Sequence, residues 1–381
     1  MVPAPSRTLL PLLLTLASAG ALSAQAPEGP LPPPRPGQTV QQAPPLPQVK
    51  VKVALVNTAV TVRDSQGRLV DDLIAADFRV TDNGVEQKIS HFDFGGDPVS
   101  VAILIETSSR IDPLLPELRK TGILLTQNVM GAQGEAAVVG FHDGVDKLQD
   151  FTTNADLIEN TVAHLQSGGS KSRLYDAMSV GVEMLGSQPQ PSVEQPGRRR
   201  VLLVLSESMD DGSETKLGQV LRQAQLANVT IYSIGLSTLR SELHSKPRDS
   251  GPTPIAPPGI NTLPPMPGTI QTPETEALRT AGVDLLGLAA WAVQHVNDKV
   301  KDHAMAVAAA GTGGLHLSTY KDHSVEDAID EIAAELHSQY ALSYAPSAGG
   351  DLGYHEIKVQ VDRKDLAVRA RPGYYVAPPE S

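Results

Sequence analysis

The sequence contains no cysteine, and this excludes disulfides, thiolate metal sites, a cysteine nucleophile and a lipid-modified N-terminal cysteine. Aromatic residues make up only 4% of the chain, which disfavours stacking platforms for nucleic-acid bases. Basic residues are also few, 31 against 43 acidic ones, and the net charge of −12 disfavours binding to nucleic acids or anionic membranes. The 381 residues, 40% of them hydrophobic, suffice for two domains or for one large domain with additions. Composition alone identifies no reaction.

The N-terminus has the pattern of an export signal. Arg7 precedes an apolar run over residues 9–22 that ends in small residues. This run is short for a membrane span, which needs roughly 20 apolar residues. We therefore predict a signal peptide over residues 1–24, cleaved after Ala21 or Ala24, and no transmembrane segment in the mature protein. The protein would then be periplasmic or secreted; a retained anchor and a merely apolar tail are the alternatives.

Proline is concentrated in two stretches. Nine prolines lie between Pro27 and Pro47, and nine more lie between Pro247 and Pro273. Such stretches form neither helices nor hydrogen-bonded strands and behave as extended, solvated spacers. We predict a linker over residues 25–48 and a long loop over residues 241–280. A polyproline ligand for a partner is the alternative interpretation.

Both ends of the remaining chain, residues 49–95 and 338–376, have the alternating apolar pattern of half-buried strands. Asn83-Gly84 between two apolar segments predicts a tight hairpin, because such a turn requires positive φ angles. Neither end has enough strands to close a core alone. We therefore predict that the two ends pair into one small antiparallel β-domain of the sandwich type.

The middle of the chain, residues 98–337, alternates short apolar runs with segments of helical periodicity. The runs predict strands buried on both faces, at residues 99–105, 136–141, 201–205 and 229–234. A further short strand is predicted at residues 315–318. The segments between and after them predict helices, at residues 111–130, 154–166, 173–186, 214–227, 283–310 and 324–337. This alternation is typical of a doubly wound, mostly parallel α/β sheet. We predict that the sheet is inserted between the two halves of the β-domain.

Ligands of doubly wound sheets bind at the carboxyl ends of the strands, near the point where the strand order reverses. In this chain the loops at those ends follow Ile105, surround Ser172 and follow Leu205. Ser206-Glu207-Ser208 in the third loop lacks the glycines of a hydrolase nucleophile elbow. Asp210 and Asp211 are interpreted as loop and helix-capping acids rather than as calcium ligands.

Several motifs resemble those of a von Willebrand factor type A domain, and in particular those of exported bacterial VWFA-related proteins of the acidobacterial type. They are the run from Glu106 to Arg110, residues 174–177 (LYDA), residues 201–208 (VLLVLSES), Gly313-Gly314 and residues 371–375 (RPGYY). The resemblance covers roughly residues 50–376. It implies the same α/β fold and a binding role.

Domains of this family typically hold Mg²⁺ or Mn²⁺ at a metal-ion-dependent adhesion site. Carried over by position, the ligands would be Glu106, Ser108, Arg110, Ser172 and Glu207. Ser108 alone keeps its usual identity, and Ser172 is a near substitute for a threonine. The resemblance therefore implies a degenerate adhesion site.

The departures from the family pattern have a physical consequence. Arg110 removes a hydroxyl ligand and adds a permanent cation beside two carboxylates, with which guanidinium groups form strong hydrogen bonds. We predict that Arg110 bridges Glu106 and Glu207, so that no metal or other cofactor is needed. A solvent-directed Arg110 and a weak Mg²⁺ or Mn²⁺ site that uses Ser108, Ser172 and the two glutamates are the alternatives.

These observations predict an exported, non-enzymatic module that binds a protein or another extracytoplasmic macromolecule, and not a nucleic acid. A metal-dependent adhesion domain is the second interpretation. A hydrolase with an unrecognised arrangement of catalytic residues is the third.

Overall fold

The structure is a computed structural model, and it describes residues 55–95, 98–188, 198–207, 209–236, 303–319, 324–346 and 352–376. The predicted signal peptide, the proline-rich linker and loop, and most of the helix predicted over residues 283–310 lie outside the described residues. Within those residues no helix combines the length and the apolar character that crossing a membrane requires.

The elements of the described residues are numbered here in chain order. The strands are β1 (Val56–Arg63), β2 (Phe78–Asp82), β3 (Val85–Gln87), β4 (Ile89–Phe94), β5 (Val99–Glu106), β6 (Glu135–Phe141), β7 (Val145–Thr152), β8 (Arg199–Ser206), β9 (Val229–Gly235), β10 (His316–Ser318), β11 (Tyr340–Tyr344), β12 (Gly353–Val361), β13 (Ala367–Ala370) and β14 (Gly373–Val376). The α-helices are α1 (Leu115–Leu118), α2 (Gly122–Leu124), α3 (Ala155–Ala163), α4 (Leu174–Gly186), α5 (Leu217–Leu226), α6 (Ala304–Thr312) and α7 (Val325–Leu336).

A six-stranded sheet in the order β10-β9-β8-β5-β6-β7 forms the centre of the molecule. All neighbouring strands are parallel except β6 and β7. In β5, Ile103 lies between Val138 of β6 and Leu203 of β8. The predicted mostly parallel sheet is thus confirmed, whereas the antiparallel edge strand β7 was not predicted.

Both faces of this sheet are covered by helices. On β5, Ala102 and Leu104 belong to the hydrophobic cluster formed with α4, α5 and α6. Val101, Ile103 and Ile105 belong to the opposite cluster, formed with α1, α3 and α7. Because successive side chains of a strand point to opposite faces, a continuous apolar run can satisfy both layers.

The single helix predicted over residues 111–130 is wrong. The structure breaks this segment into α1, α2 and a π-helical turn over Leu125–Met130. Pro116 lies in the first turn of α1, where its missing N–H costs no hydrogen bond. At Gly122 the chain passes close to α3, since a Cβ there would lie 3.0 Å from the Cα of Glu159.

Two further sheets are antiparallel, in the orders β13-β1-β11-β4 and β14-β12-β2-β3. Strands that precede the parallel sheet in the chain pair here with strands that follow it: Val60 faces Tyr340 and Ala370, and Val80 faces Val359. Apolar residues of both sheets form one cluster. The hairpin predicted at Asn83-Gly84 is confirmed, with φ angles of 48° and 80°.

We expect acid to destabilise the protein partly through His316. Its Nδ1 lies 2.9 Å from the buried Ser233 Oγ, and burial, assisted by the nearby His303, lowers the pKa of His316 from 6.5 to about 4. The unfolded chain therefore binds a proton between these pH values and the folded chain does not. The contribution of His316 to stability should be constant above pH 6.5 and fall, by at most about 3 kcal/mol, as the pH drops towards 4.

Urea denaturation at pH 7 and at pH 4.5 measures this effect. The variant His316→Asn should lose less stability between the two pH values than the wild type does, and the same substitution at the exposed His164 is the control. Equal acid sensitivity of the wild type and His316→Asn would contradict the assignment.

Candidate functional site

The candidate site lies where β5 and β8 end side by side. From β5 the chain continues to β6 on one side, and β8 lies on the other side of β5. The strand order therefore reverses between β5 and β8. We call the loops at this end the crest: residues 106–110, residues 168–173, and residue 207 with residues 209–213.

Glu106 ends β5 and is completely buried. Its Oε1 accepts a hydrogen bond from Ser108 Oγ at 2.6 Å, and its Oε2 accepts from Ser206 Oγ at 2.7 Å and from the Glu207 N–H at 2.9 Å. Burial raises the pKa of Glu106, and these three donors oppose the rise. Both carboxylate oxygens are therefore engaged within the chain.

The predicted bridge from Arg110 to Glu106 and Glu207 is wrong. In the part of the chain that the structure describes, the acid that pairs with Arg110 is Asp211, through Nη2 and Oδ2. The Arg110 side chain is only 12% exposed, so it does not point into solvent either. The physical reason is that neutral donors from the ends of β5 and β8 already satisfy Glu106.

Asp211 also links the third loop to the second. Its Oδ1 accepts a hydrogen bond from the Ser172 N–H at 2.7 Å, and its own N–H donates to the Ser172 carbonyl at 3.1 Å. The neighbouring Asp210 accepts from the Tyr175 N–H in the first turn of α4 and from Ser213 Oγ. Both acids thus hold loops and a helix end in place through hydrogen bonds, which is the role that the sequence predicted for them.

The second loop is tied to the first by backbone contacts. Ser109 N–H donates to the Gly169 carbonyl at 2.9 Å, and Gly168 N–H donates to the Thr107 carbonyl at 2.7 Å. A Cβ at Gly169 would lie 2.1 Å from the Asp143 carboxylate, so a larger residue here would displace that side chain. That carboxylate in turn accepts from the Lys171 N–H at 2.7 Å. The crest is therefore built from mutually bonded loops.

The donor set does not fit Mg²⁺ or Mn²⁺. Mg²⁺ requires six oxygen ligands at about 2.0–2.1 Å in near-octahedral geometry. Here Glu106 accepts from three internal donors, Asp211 is paired with a guanidinium, and the described residues contain no cluster of three or more acids or histidines able to hold a metal. The buried Ser172 Oγ, which makes no hydrogen bond to described residues, is a hydroxyl that remains available.

The sequence identified five of the six residues that matter at the crest and missed the sixth. Glu106, Ser108, Arg110 and Ser172 all lie in the contacts described above, and Glu207 contributes its backbone N–H. The residue missed as the arginine's partner is Asp211. The sequence feature that could have indicated Asp211 is the pair of adjacent acids Asp210-Asp211, a few residues after Glu207.

Neither a protein-family model nor a curated relative matches the sequence. Three solved structures are similar to this chain at low sequence identity. The conserved hypothetical protein BatB from Bacteroides thetaiotaomicron is 13% identical, with a TM-score of 0.36, and the match covers 62% of this chain and 98% of that one. An aerotolerance-related membrane protein from Bacteroides fragilis is 12% identical, with a TM-score of 0.36 and the same 62% and 98% coverage. The SpRpn10 VWA domain is 13% identical over 39% of this chain and 79% of that one, with a TM-score of 0.30. At such low identity and TM-score, these similarities assign neither a partner nor an activity to the chain.

A double-mutant cycle tests the ion pair at the crest. We expect Arg110→Ala and Asp211→Ala each to destabilise the protein by about 1 kcal/mol, with Asp211→Ala the larger because it also removes the acceptor of the Ser172 N–H. The Asp211 side chain is 40% exposed, so solvent screening keeps the pairwise term small.

The two substitutions should be less than additive in urea denaturation. The exposed pair Arg79 and Asp362 is the matched control, and we expect no measurable coupling there. Full additivity of Arg110→Ala and Asp211→Ala would show that the two side chains do not interact in solution.

Proposed function

We propose that this protein is an exported, non-enzymatic module that binds another protein outside the cytoplasm, and that the crest is its contact surface. One observation carries the proposal: two residues at the metal position are engaged in internal contacts, Glu106 with three donors and Arg110 with Asp211. These contacts support a crest that is held together without a metal. It presents Ser109, Lys171 and the side chain of Met209 to solvent.

A catalytic role has weaker support. Ser233 of the described chain has the histidine partner that a serine nucleophile needs, with its Oγ 2.9 Å from His316 Nδ1. Ser233 is completely buried, so it cannot reach a substrate in this structure. A hydrolase therefore stays the third proposal.

A metal-dependent adhesion module is the second proposal, and it has one observation in its favour. Ser172 Oγ is buried without a hydrogen-bond partner among described residues, as an unused ligand would be. The guanidinium of Arg110 beside it argues against a second cation at the same place. Added Mg²⁺ or Mn²⁺ distinguishes this proposal from the first.

Partner capture with paired variants tests the proposed function. The purified protein is used as bait against periplasmic and outer-membrane fractions of the source cells, and it is compared with the double variant Lys171→Glu, Met209→Asp at the crest. The control carries the same two changes at exposed positions away from the crest, Lys88→Glu and Leu226→Asp.

We expect a partner that the wild type and the control retain and that the crest variant loses. Equal capture by the crest variant, or no captured partner together with a positive hydrolase screen, would overturn the proposal.

A further inference from the structure

The crest carries one apolar side chain, that of Met209. Every other crest residue is a glycine or has a polar or charged side chain. Met209 is 46% exposed. The backbone on both sides of it is held by hydrogen bonds, because the Glu207 N–H donates to Glu106 and the Asp211 N–H donates to the Ser172 carbonyl. Met209 is therefore a solvent-exposed apolar residue on a loop with anchored ends.

Met209 differs from the other described methionines in its exposure. Those methionines belong to the hydrophobic clusters on the two faces of the parallel sheet, and none is more than 9% exposed: Met130, Met178, Met184 and Met305. Met1 and Met266 lie outside the described residues. The chain contains no cysteine, so methionine supplies all of its sulfur. Among the described residues, Met209 is therefore the sulfur-containing residue most open to a reagent in solvent.

Oxidation of Met209 to the sulfoxide changes an apolar side chain into a polar one. Hydrogen peroxide is sufficient for this step. The sulfur lone pair forms a bond to one peroxide oxygen, the O–O bond breaks, and the other oxygen takes up the proton of the transferred one and leaves as water. The sulfur is oxidised and the peroxide is reduced. Because peroxide is uncharged, the neighbouring acids Glu207, Asp210 and Asp211 do not repel it.

We propose that Met209 is a reversible oxidation site, at which hydrogen peroxide makes the crest fully polar and weakens partner binding. The effect on binding rests on the proposed function, whereas the modification itself does not. Methionine is enriched at the centres of protein interfaces, where a sulfoxide loses the stabilisation that apolar burial provides. Met209 belongs to none of the hydrophobic clusters of the described residues, so its oxidation leaves the fold intact.

Peptide mass spectrometry of the purified full chain tests the modification site. Wild type is treated with hydrogen peroxide at pH 7, and the sulfoxide at each methionine is quantified against time. Because the oxidant reaches sulfur from solvent, we expect Met209 to be oxidised at least about fivefold faster than the four buried methionines. The treated protein should keep its melting temperature. Methionine sulfoxide reductases A and B with dithiothreitol should remove the added oxygen.

Two variants separate the position of the methionine from its chemistry. Met209→Leu removes the sulfur from the crest. The double variant Met209→Leu, Leu226→Met places a methionine on α5 at a similarly exposed position away from the crest, since Leu226 is 43% exposed. Partner capture is repeated with each protein before peroxide treatment and after the peroxide is removed, and each protein is compared with its own untreated sample.

We expect oxidation to weaken capture by the wild type about tenfold, the lower end of what burying one apolar side chain contributes. The reductases should restore it. In the double variant, position 226 should be oxidised about as fast as Met209 is in the wild type. Capture by either variant should nevertheless be insensitive to peroxide, because the crest of both lacks a thioether.

Three results would overturn the proposal. The first is oxidation of Met209 no faster than that of the buried methionines, which would show that its sulfur is closed to solvent. The second is a lower melting temperature of protein oxidised at Met209 alone, which would make the effect one of unfolding. The third is full retention of the captured partner by the oxidised wild type. If the untreated wild type captures no partner, the proposed function fails, and the mass spectra still decide the modification site.

Discussion

Replacing Glu335 by glutamine is expected to destabilise the protein by about 3 kcal/mol. Glu335 lies on α7 and is completely buried, and its carboxylate pairs with Arg63 of β1 at 3.2 Å and with Arg369 of β13. It also accepts a hydrogen bond from Tyr232 of β9 at 3.1 Å. Removing the charge leaves two arginines without their shared acid, which is costly inside a protein. Because both arginines are partly exposed, we place the loss at the lower end of the usual range.

The same helix supplies a matched control. Glu331, one turn earlier, also approaches Arg63, at 3.7 Å, but its side chain is 38% exposed. We expect Glu331→Gln to change the free energy of unfolding by less than about 1 kcal/mol. Urea denaturation at pH 7 compares the two variants, and equal effects would contradict the structural role of Glu335.

The second large effect is expected for Asp82→Asn, at about 2–3 kcal/mol. The Asp82 carboxylate on β2 is buried and accepts hydrogen bonds from Tyr344 at 3.0 Å and Tyr374 at 2.8 Å, while His355 Nδ1 lies 2.9 Å away. These partners belong to β11, β14 and β12, so one acid joins strands from both ends of the chain. An asparagine can offer its one oxygen to both phenols only with its NH₂ group turned towards His355 Nδ1, and it lacks the negative charge that strengthens all three contacts.

Asp362→Asn is the control for Asp82→Asn. Asp362 pairs with Arg79 at 3.3 Å on the surface, where both side chains are about half exposed. We expect its substitution to leave the urea midpoint nearly unchanged. A comparably small effect of Asp82→Asn would show that the buried tyrosines find other acceptors.

The parallel strands were predictable because burial on both faces leaves a continuous apolar run. Residues 201–205 and 229–234 are such runs. The structure extends the first by two residues at its start and one at its end, to β8, and the second by one residue at its end, to β9. The edge strand β7 was not predictable in this way, since its exposed positions break the pattern. The helix predicted over residues 111–130 failed for a different reason: its apolar spacing is helical, but Pro113, Pro116 and Gly122 interrupt it.

The residues of the crest were predictable, and their partners were not. The sequence placed Glu106 and Arg110 at the end of one strand, which holds in the structure. It did not show that the Ser206 hydroxyl and the Glu207 N–H approach Glu106 from β8. It also did not show that Asp211 lies close enough to pair with Arg110. Partner choice depends on the relative positions of loops far apart in the chain, and local patterns carry no such information.

We propose that the crest needs no metal, and thermal unfolding with and without millimolar Mg²⁺ or Mn²⁺ measures whether it binds one. A cation bound to the folded state at 100 times its dissociation constant would stabilise the protein by about 2.7 kcal/mol. With Arg110 paired to Asp211 and Glu106 accepting from three internal donors, we expect the same melting temperature with either metal as with EDTA. An upward shift that EDTA reverses would contradict the claim and favour the metal-dependent adhesion module.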